Sequence, residues 1–201
     1  MNELRIEKLR VHHVGPIDLA VSSDECVGIS GPSGSGKTLL LRAVADMIPH
    51  EGTVSLNGQA NLEMNGSQWR QRVGLLPSES AWWYDTVGPH FASMEKHALE
   101  FLGFPPDVAD WDIRRLSSGE RQRLALLRLL SNHPDVLLLD EPTANLDPQS
   151  SERVELFIDR FRRRHACSII WISHQAAQLA RVAGKHYRLE NGRLIPTRRS
   201  A

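Results

Sequence analysis

The sequence predicts an α/β fold: a mainly parallel sheet flanked by helices, with an N-terminal antiparallel β portion and a small helical subdomain. Three observations lead there. The short apolar runs Cys26 to Ser30, Val136 to Leu139 and Ser168 to Ile172 have strand length and read as strands buried on both faces. Segments with apolar residues at helical spacing alternate with them, as in a parallel sheet covered by helices. The opening residues instead read as successive strands.

In chain order, strands are expected at Leu4 to Val11, Ile17 to Val21 and Cys26 to Ser30. A helix follows from Lys37 to about Ile48, with Leu40, Leu41, Val44 and Ile48 on one face and Pro49 and Gly52 ending it. Thr53 to Leu56 and Val73 to Leu76 read as strands, the first closing at the turn pair Asn57-Gly58. From about 78 to 116 the alternation stops. Trp82, Trp83, Tyr84, His90, Phe91, Phe101 and Phe104 crowd this stretch, and Pro105-Pro106 lies in its later part. It reads as a helical insert. With the helix expected from about Ser118 to Leu130 it forms a subdomain of about 78–130 within a single domain of 1–201. A further helix starts at Pro148 behind Asp147, a capping residue before the preferred first helical position. Its Val154, Phe157, Ile158 and Phe161 make one buried stripe. Gln175 to Ala183 is helical, and Asn191-Gly192 closes a hairpin between His186–Leu189 and Arg193–Ile195.

Composition excludes several classes. Lys plus Arg equals Asp plus Glu, 24 each, which argues against nucleic acid as a partner. Arg160, Arg162, Arg163 and Arg164 read as the solvated face of a helix. Cys26 and Cys167 lack metal or disulfide-framework spacing, which points to a reducing compartment. No stretch approaches the roughly 20 apolar residues of a spanning helix, and Met1 to Arg10 lacks a signal-peptide core. Any membrane portion is therefore expected on another subunit.

Two motifs carry chemistry. Gly31, Pro32, Ser33, Gly34, Ser35, Gly36, Lys37 and Thr38 fit the pattern G-x-x-x-x-G-K-S/T between an expected strand and helix. The glycines let successive N–H groups converge on one anion, and the helix adds its positive end. Lys37 is placed for β- and γ-phosphates and Thr38 for Mg²⁺. The apolar strand Val136 to Leu139 ends in Asp140-Glu141. Alternation turns these two carboxylates to opposite sides, Asp140 suited to Mg²⁺ and Glu141 to a general base.

Leu116-Ser117-Ser118-Gly119-Glu120 resembles the LSGGQ signature of ATP-binding cassette (ABC) ATPases, which are P-loop NTPases. Glu141-Pro142-Thr143-Ala144-Asn145-Leu146-Asp147 is similar to the Walker B extension and D-loop, and Ile172-Ser173-His174 to the H-loop. The resemblance covers essentially the whole chain and implies Mg²⁺-dependent ATP hydrolysis. It also implies a head-to-tail dimer of two copies. Ser117 and Gly119 of one copy would contact the γ-phosphate held by Lys37 of the other, and Asp147 would cross the interface. His174 would contact that phosphate and hold Glu141 and the attacking water. The implied partner is an integral membrane permease, and the implied location is cytoplasmic, peripheral on the inner face of the cell membrane. Within the family the chain looks most like small stand-alone bacterial-type subunits, including those proposed for metal (iron) export.

The sequence departs from the pattern at two places. Where the family has a Gln after Val73-Gly74-Leu75-Leu76-Pro77, this chain has Ser78 and then Glu79; either is a candidate Mg²⁺ ligand. Where the family has an aromatic that stacks on adenine, this chain has Val11-His12-His13-Val14, leaving His13 or His12 as the base partner. Trp82, Trp83 and Tyr84 lie where the family forms the groove for a membrane subunit's coupling helix; the alternative is that they are the insert's own core. Rival readings are a soluble ABC ATPase on DNA or ribosomes, or a nucleotide-dependent regulatory module. The chain has neither a coiled-coil insertion nor a long basic face to favour the former.

Overall fold

The structure is a computed structural model and describes residues 3–197. In chain order, β1 (Leu4–Val11), β2 (Val14–Val21) and β3 (Cys26–Ser30) lead into α1 (Lys37–Val44). Then come β4 (Glu51–Leu56), β5 (Gln59–Ala60), α2 (Gly66–Arg72), β6 (Val73–Leu76), α3 (Lys96–Phe101) and α4 (Ser118–Leu130). The chain continues through β7 (Val136–Asp140), α5 (Pro148–His165), β8 (Ser168–Ile172), α6 (Ala176–Val182), β9 (Lys185–Glu190) and β10 (Arg193–Thr197).

Side-chain alternation explains how the layers form. In β7, Val136 and Leu138 enter one core while Leu137 and Leu139 enter another. In β8, Ile170 and Ile172 face the first core, Ile169 and Trp171 the second. A sheet buried on both faces results, order β10-β9-β3-β8-β7-β6, with every pairing parallel except the β9–β10 hairpin. The first core lies between this sheet, α1 and a second sheet, order β2-β1-β4-β5, which is antiparallel throughout. The second core lies under α4, α5, α6 and the stretch before α4. Each apolar strand of this kind removes several side chains from water, at about 25 cal/mol per Å².

Three expectations need correction. The first helix stops at Val44 rather than near Ile48. Asp46 takes a left-handed backbone (φ 55°), and the N–H groups of Asp46 and Met47 bond back to Ala43 O and Arg42 O, closing a Schellman turn without glycine. The stretch 78–116 is less helical than expected: it holds α3 and short 3₁₀ turns at Gly88–His90, Pro106–Asp110 and Ile113–Arg115. Its apolar residues are too scattered by proline and glycine to sustain a long helix. The arginine cluster is not one solvated face. Arg162 is largely enclosed and pairs with Asp24 at the β2–β3 turn and with Asp159, both at 2.7 Å. Arg160, Arg163 and Arg164 are exposed.

Helix α2 is absent from the sequence reading. Its seven residues are too few for a period to register, yet Asn65 Oδ1 caps it by accepting from Ser67 N at 2.8 Å. Trp69 anchors it, fully buried, with its indole N–H donating to Val44 O at 3.0 Å.

Candidate functional site

The carboxyl ends of β3, β6, β7 and β8 come out side by side, the usual place for a ligand in an open parallel sheet. From β3 the chain turns through Gly31–Gly36 into α1. Gly36 has φ 95° and lies so close to β2 that a Cβ there would stand 2.2 Å from Val14 Cγ2. No side chain caps α1, so its first N–H groups are left for an incoming anion. Ser35 Oγ is buried without a hydrogen-bond partner. Lys37, itself buried, folds back and donates to Gly31 O and Pro32 O, both at 3.0 Å. Burial lowers its pKa, against the pull of Glu141 and Asp140. A loop with free donors, an uncapped helix start and a desolvated ammonium fits a polyphosphate.

Thr38 Oγ1 donates to Asp140 Oδ2 at 2.7 Å, across 102 residues of sequence. This hydroxyl–carboxylate pair beside the phosphate loop suits Mg²⁺, which takes few protein ligands and keeps waters and phosphate oxygens. Among the described residues no cluster of three His, Cys, Asp or Glu stands ready for a metal, which is unlike an all-protein metal cage.

Asp140 and Glu141 meet different partners, Thr38 and His174, and strand alternation does not set this. β7 ends at Asp140, and Glu141 has a left-handed backbone with φ 52°. Its N–H still bonds to Ile172 O at 3.1 Å, so it is held against the end of β8. Two residues beyond that carbonyl, His174 places Nε2 at 3.4 Å from Glu141 Oε1. That carboxylate oxygen is buried and makes no hydrogen bond, so the contact is electrostatic. Burial raises the Glu141 pKa above the ordinary glutamate value, with His174 opposing and Asp140 adding to the rise. The geometry is that of a base kept from full solvation beside an imidazole.

The remaining sequence candidates lie around this edge. Ser78 and Glu79 follow β6, whose register pairs Leu76 with Leu139, so they leave the sheet next to Asp140 and Glu141. Both are exposed. The carbonyl just before them, Pro77 O, accepts from buried Gln122 of α4 at 3.1 Å. His12 and His13 form the exposed β1–β2 turn. His13 leans on the phosphate loop: its Nε2 lies 3.2 Å from where a Cβ on Gly36 would be.

Ser117 caps α4 through a capping box. Its Oγ accepts from Glu120 N at 3.2 Å, and its N–H donates to Glu120 Oε2 at 2.8 Å. Gly119 abuts the loop before α5, where a Cβ would stand 3.0 Å from Asn145 O and 2.9 Å from Leu146 Cδ2. Asp147 caps α5 by accepting from Ser150 N at 3.0 Å, as its sequence position predicts.

Two clusters escape sequence reading. Gln178 Nε2 donates to Thr143 Oγ1 at 2.6 Å and to Glu155 Oε1 at 2.8 Å, and Arg181 grips Glu155 with two bonds. This buried bridge ties the loop after Glu141 to the helix after His174. The other centres on His90, whose Nε2 accepts from Trp83 N and Tyr84 N at 2.9 and 3.0 Å while Nδ1 faces Thr86 O at 3.0 Å. Trp82, Trp83 and Tyr84 surround it at 4.8 to 5.1 Å, and Arg128 of α4 lies 4.5 Å over Trp82. The core reading holds for Trp82, which packs against the second core, while Trp83 and Tyr84 are exposed. Neither cluster has fixed spacing, so neither leaves a linear signal.

A family profile described as "ABC transporter" matches residues 14–144. Protein STAR1 of Oryza sativa subsp. japonica is 35% identical over 180 residues, 83% of this chain and 52% of that protein. The phosphate import ATP-binding protein PstB of Thermotoga maritima is 31% identical over 221 residues, 96% of this chain and 86% of that protein. A bacterial Atm1-family ABC exporter with ATP bound superposes with a TM-score of 0.83 at 22% identity, covering 96% of this chain and 38% of that one; this likeness concerns the fold. The chain thus spans about half the length of the rice relative.

Proposed function

The chain belongs to the ABC transporter family of ATP-binding ATPase domains, and on that premise we propose that it hydrolyses ATP with Mg²⁺ as a head-to-tail dimer, driving transport through a separate membrane subunit. The observation that carries the proposal is the Glu141–His174 pair, 3.4 Å apart, at the same sheet edge as the Lys37 loop. Phosphoryl transfer to water needs positioning and charge stabilisation more than covalent chemistry. Gly31 to Thr38 would bind the phosphates, with Lys37 leaving the Gly31 and Pro32 carbonyls for β- and γ-oxygens. Thr38 and Asp140 would hold Mg²⁺, with Ser78 or Glu79 beside them. The metal supplies charge neutralisation on the phosphates. Glu141 accepts the proton of the attacking water, and His174 orients Glu141 and reaches the γ-phosphate. Ser117 and Gly119 of the second copy close the site from outside, and His13 supports the base.

The helical portion of about 78–130 serves in this reading as the arm that meets the membrane subunit, with Trp83 and Tyr84 as its exposed anchors. Relatives named for phosphate import and a structural neighbour named as an exporter are both consistent with a transport role, and neither names this chain's substrate. No helix among the described residues is long and apolar enough to cross a membrane.

The test is ATP hydrolysis by the purified chain, with size-exclusion chromatography of Glu141→Gln. The proposal expects Mg²⁺-dependent turnover by the wild type and an ATP-induced dimer in the variant. A wild type that binds ATP but does not turn it over, or a variant that stays monomeric with saturating ATP, would overturn it.

A further inference from the structure

A groove between α3 and the C-terminal parts of α4 and α5 takes no part in the site above. It encloses about 380 Å³, within the roughly 300–1,000 Å³ of small-ligand pockets. Met94 before α3, Leu127 of α4, and Phe157 and Phe161 of α5 make its walls apolar. Phe101 stacks on Phe157 with centroids 5.5 Å apart, which fixes one side. Its polar lining is unbalanced. Arg160 and Arg164, one helical turn apart on α5, are both exposed, and Arg160 lies 4.7 Å over the Phe101 ring. Their neighbours Arg162 and Arg163 pair with Asp159. Among the described residues neither Arg160 nor Arg164 has a carboxylate partner, and Glu95 is the one carboxylate lining the groove.

An apolar slot with a cationic lip complements a molecule with an apolar tail and one anionic head. We propose that this groove binds an amphipathic carboxylate of the fatty-acid type, its tail between Met94, Phe157 and Phe161 and its head on Arg160 and Arg164. A guanidinium matches a carboxylate with parallel hydrogen bonds, and Met94, Phe157 and Phe161 supply tail burial, with the His133 and His165 rings packed beside Phe161 at the same lip.

Isothermal titration calorimetry on the full chain tests this, with dodecanoate and dodecyltrimethylammonium as probes, each below its micelle concentration. Dodecanoate is expected to saturate one site with a negative heat-capacity change, and the cation of equal tail length is expected not to. Arg160→Gln/Arg164→Gln should weaken dodecanoate by at least about ten-fold. Ala98→Phe, which fills the groove and leaves both charges, should abolish binding; thermal unfolding without ligand checks that each variant folds. If Ala98→Phe does not fold, the double arginine variant decides. Equal binding of the two probes, no dodecanoate binding by the folded wild type, or an unchanged affinity in the arginine variant would each overturn the proposal.

Discussion

Glu141 and His90 are both held inside polar clusters, and they are served in opposite ways. At the carboxyl edge of the sheet, Glu141 Oε1 and Ser35 Oγ are buried with no hydrogen-bond partner. In the aromatic stretch, both ring nitrogens of His90 are engaged, one by two backbone N–H groups and the other by a carbonyl. An unmade hydrogen bond in a dry place costs about 1–3 kcal/mol. The difference lies between the two residues and not between their whole surroundings, because Trp82 Nε1 and Arg128 Nη1 beside His90 are also buried without a hydrogen-bond partner; only at the sheet edge do the orphans line a loop and helix start suited to an anion.

The sharpest way to test that division is Glu141→Gln. It should slow ATP hydrolysis by about 10²–10⁴-fold, the usual worth of a general base, with ATP binding retained in a filter or fluorescence assay. The wild-type pH profile should agree. Burial raises the Glu141 pKa, so the base form is lost at a higher pH than an exposed carboxylate would lose it. The acid limb of the rate should therefore lie above the ordinary glutamate range, with activity falling as pH drops through it.

Lys37→Ala should weaken ATP binding by about 10- to 100-fold, measured by equilibrium titration, because a charge-assisted contact to phosphate is lost. His90→Ala is the counterpart on the other side of the comparison. It strands the N–H groups of Trp83 and Tyr84 and should cost about 2–4 kcal/mol in denaturant unfolding, with ATP affinity changed less than two-fold. A loss of ATP affinity as large as that of Lys37→Ala would break the division. Base recognition should show the smallest change. Imidazole offers less stacking area than the larger aromatics, so ATP and GTP should have comparable KM values. His13→Tyr should tighten ATP a few-fold, since the gain over imidazole is only a part of the about 1–3 kcal/mol of a full base stack.

How much was legible follows the same line. The loop Gly31–Thr38 is legible because a backbone shape that cradles an anion demands glycine at fixed spacing. Strands β3, β7 and β8 are legible because burial on both faces forbids polar residues. The turn at Asp46 was not, since an aspartate in a left-handed C-terminal position carries no glycine signal. Nor does the pleat separate Asp140 from Glu141: β7 ends at Asp140, and Glu141 has a left-handed backbone that no residue type announces. Arg128, Gln178 and Glu155 act through partners tens of residues away, and His90 through backbone groups four to seven residues before it, at separations no side-chain spacing rule anticipates.

The tight fit of Gly119 against Asn145 O and Leu146 has a mechanical meaning. It sets the beginning of α4 against the loop that leads into α5, at a point where a methyl group would make Leu146 shift. From that fulcrum the two helices run about 20 and 27 Å at 1.5 Å per residue. A rotation of one helix about that contact would be magnified along its length, a small rocking at the glycine becoming a larger swing at the far tip.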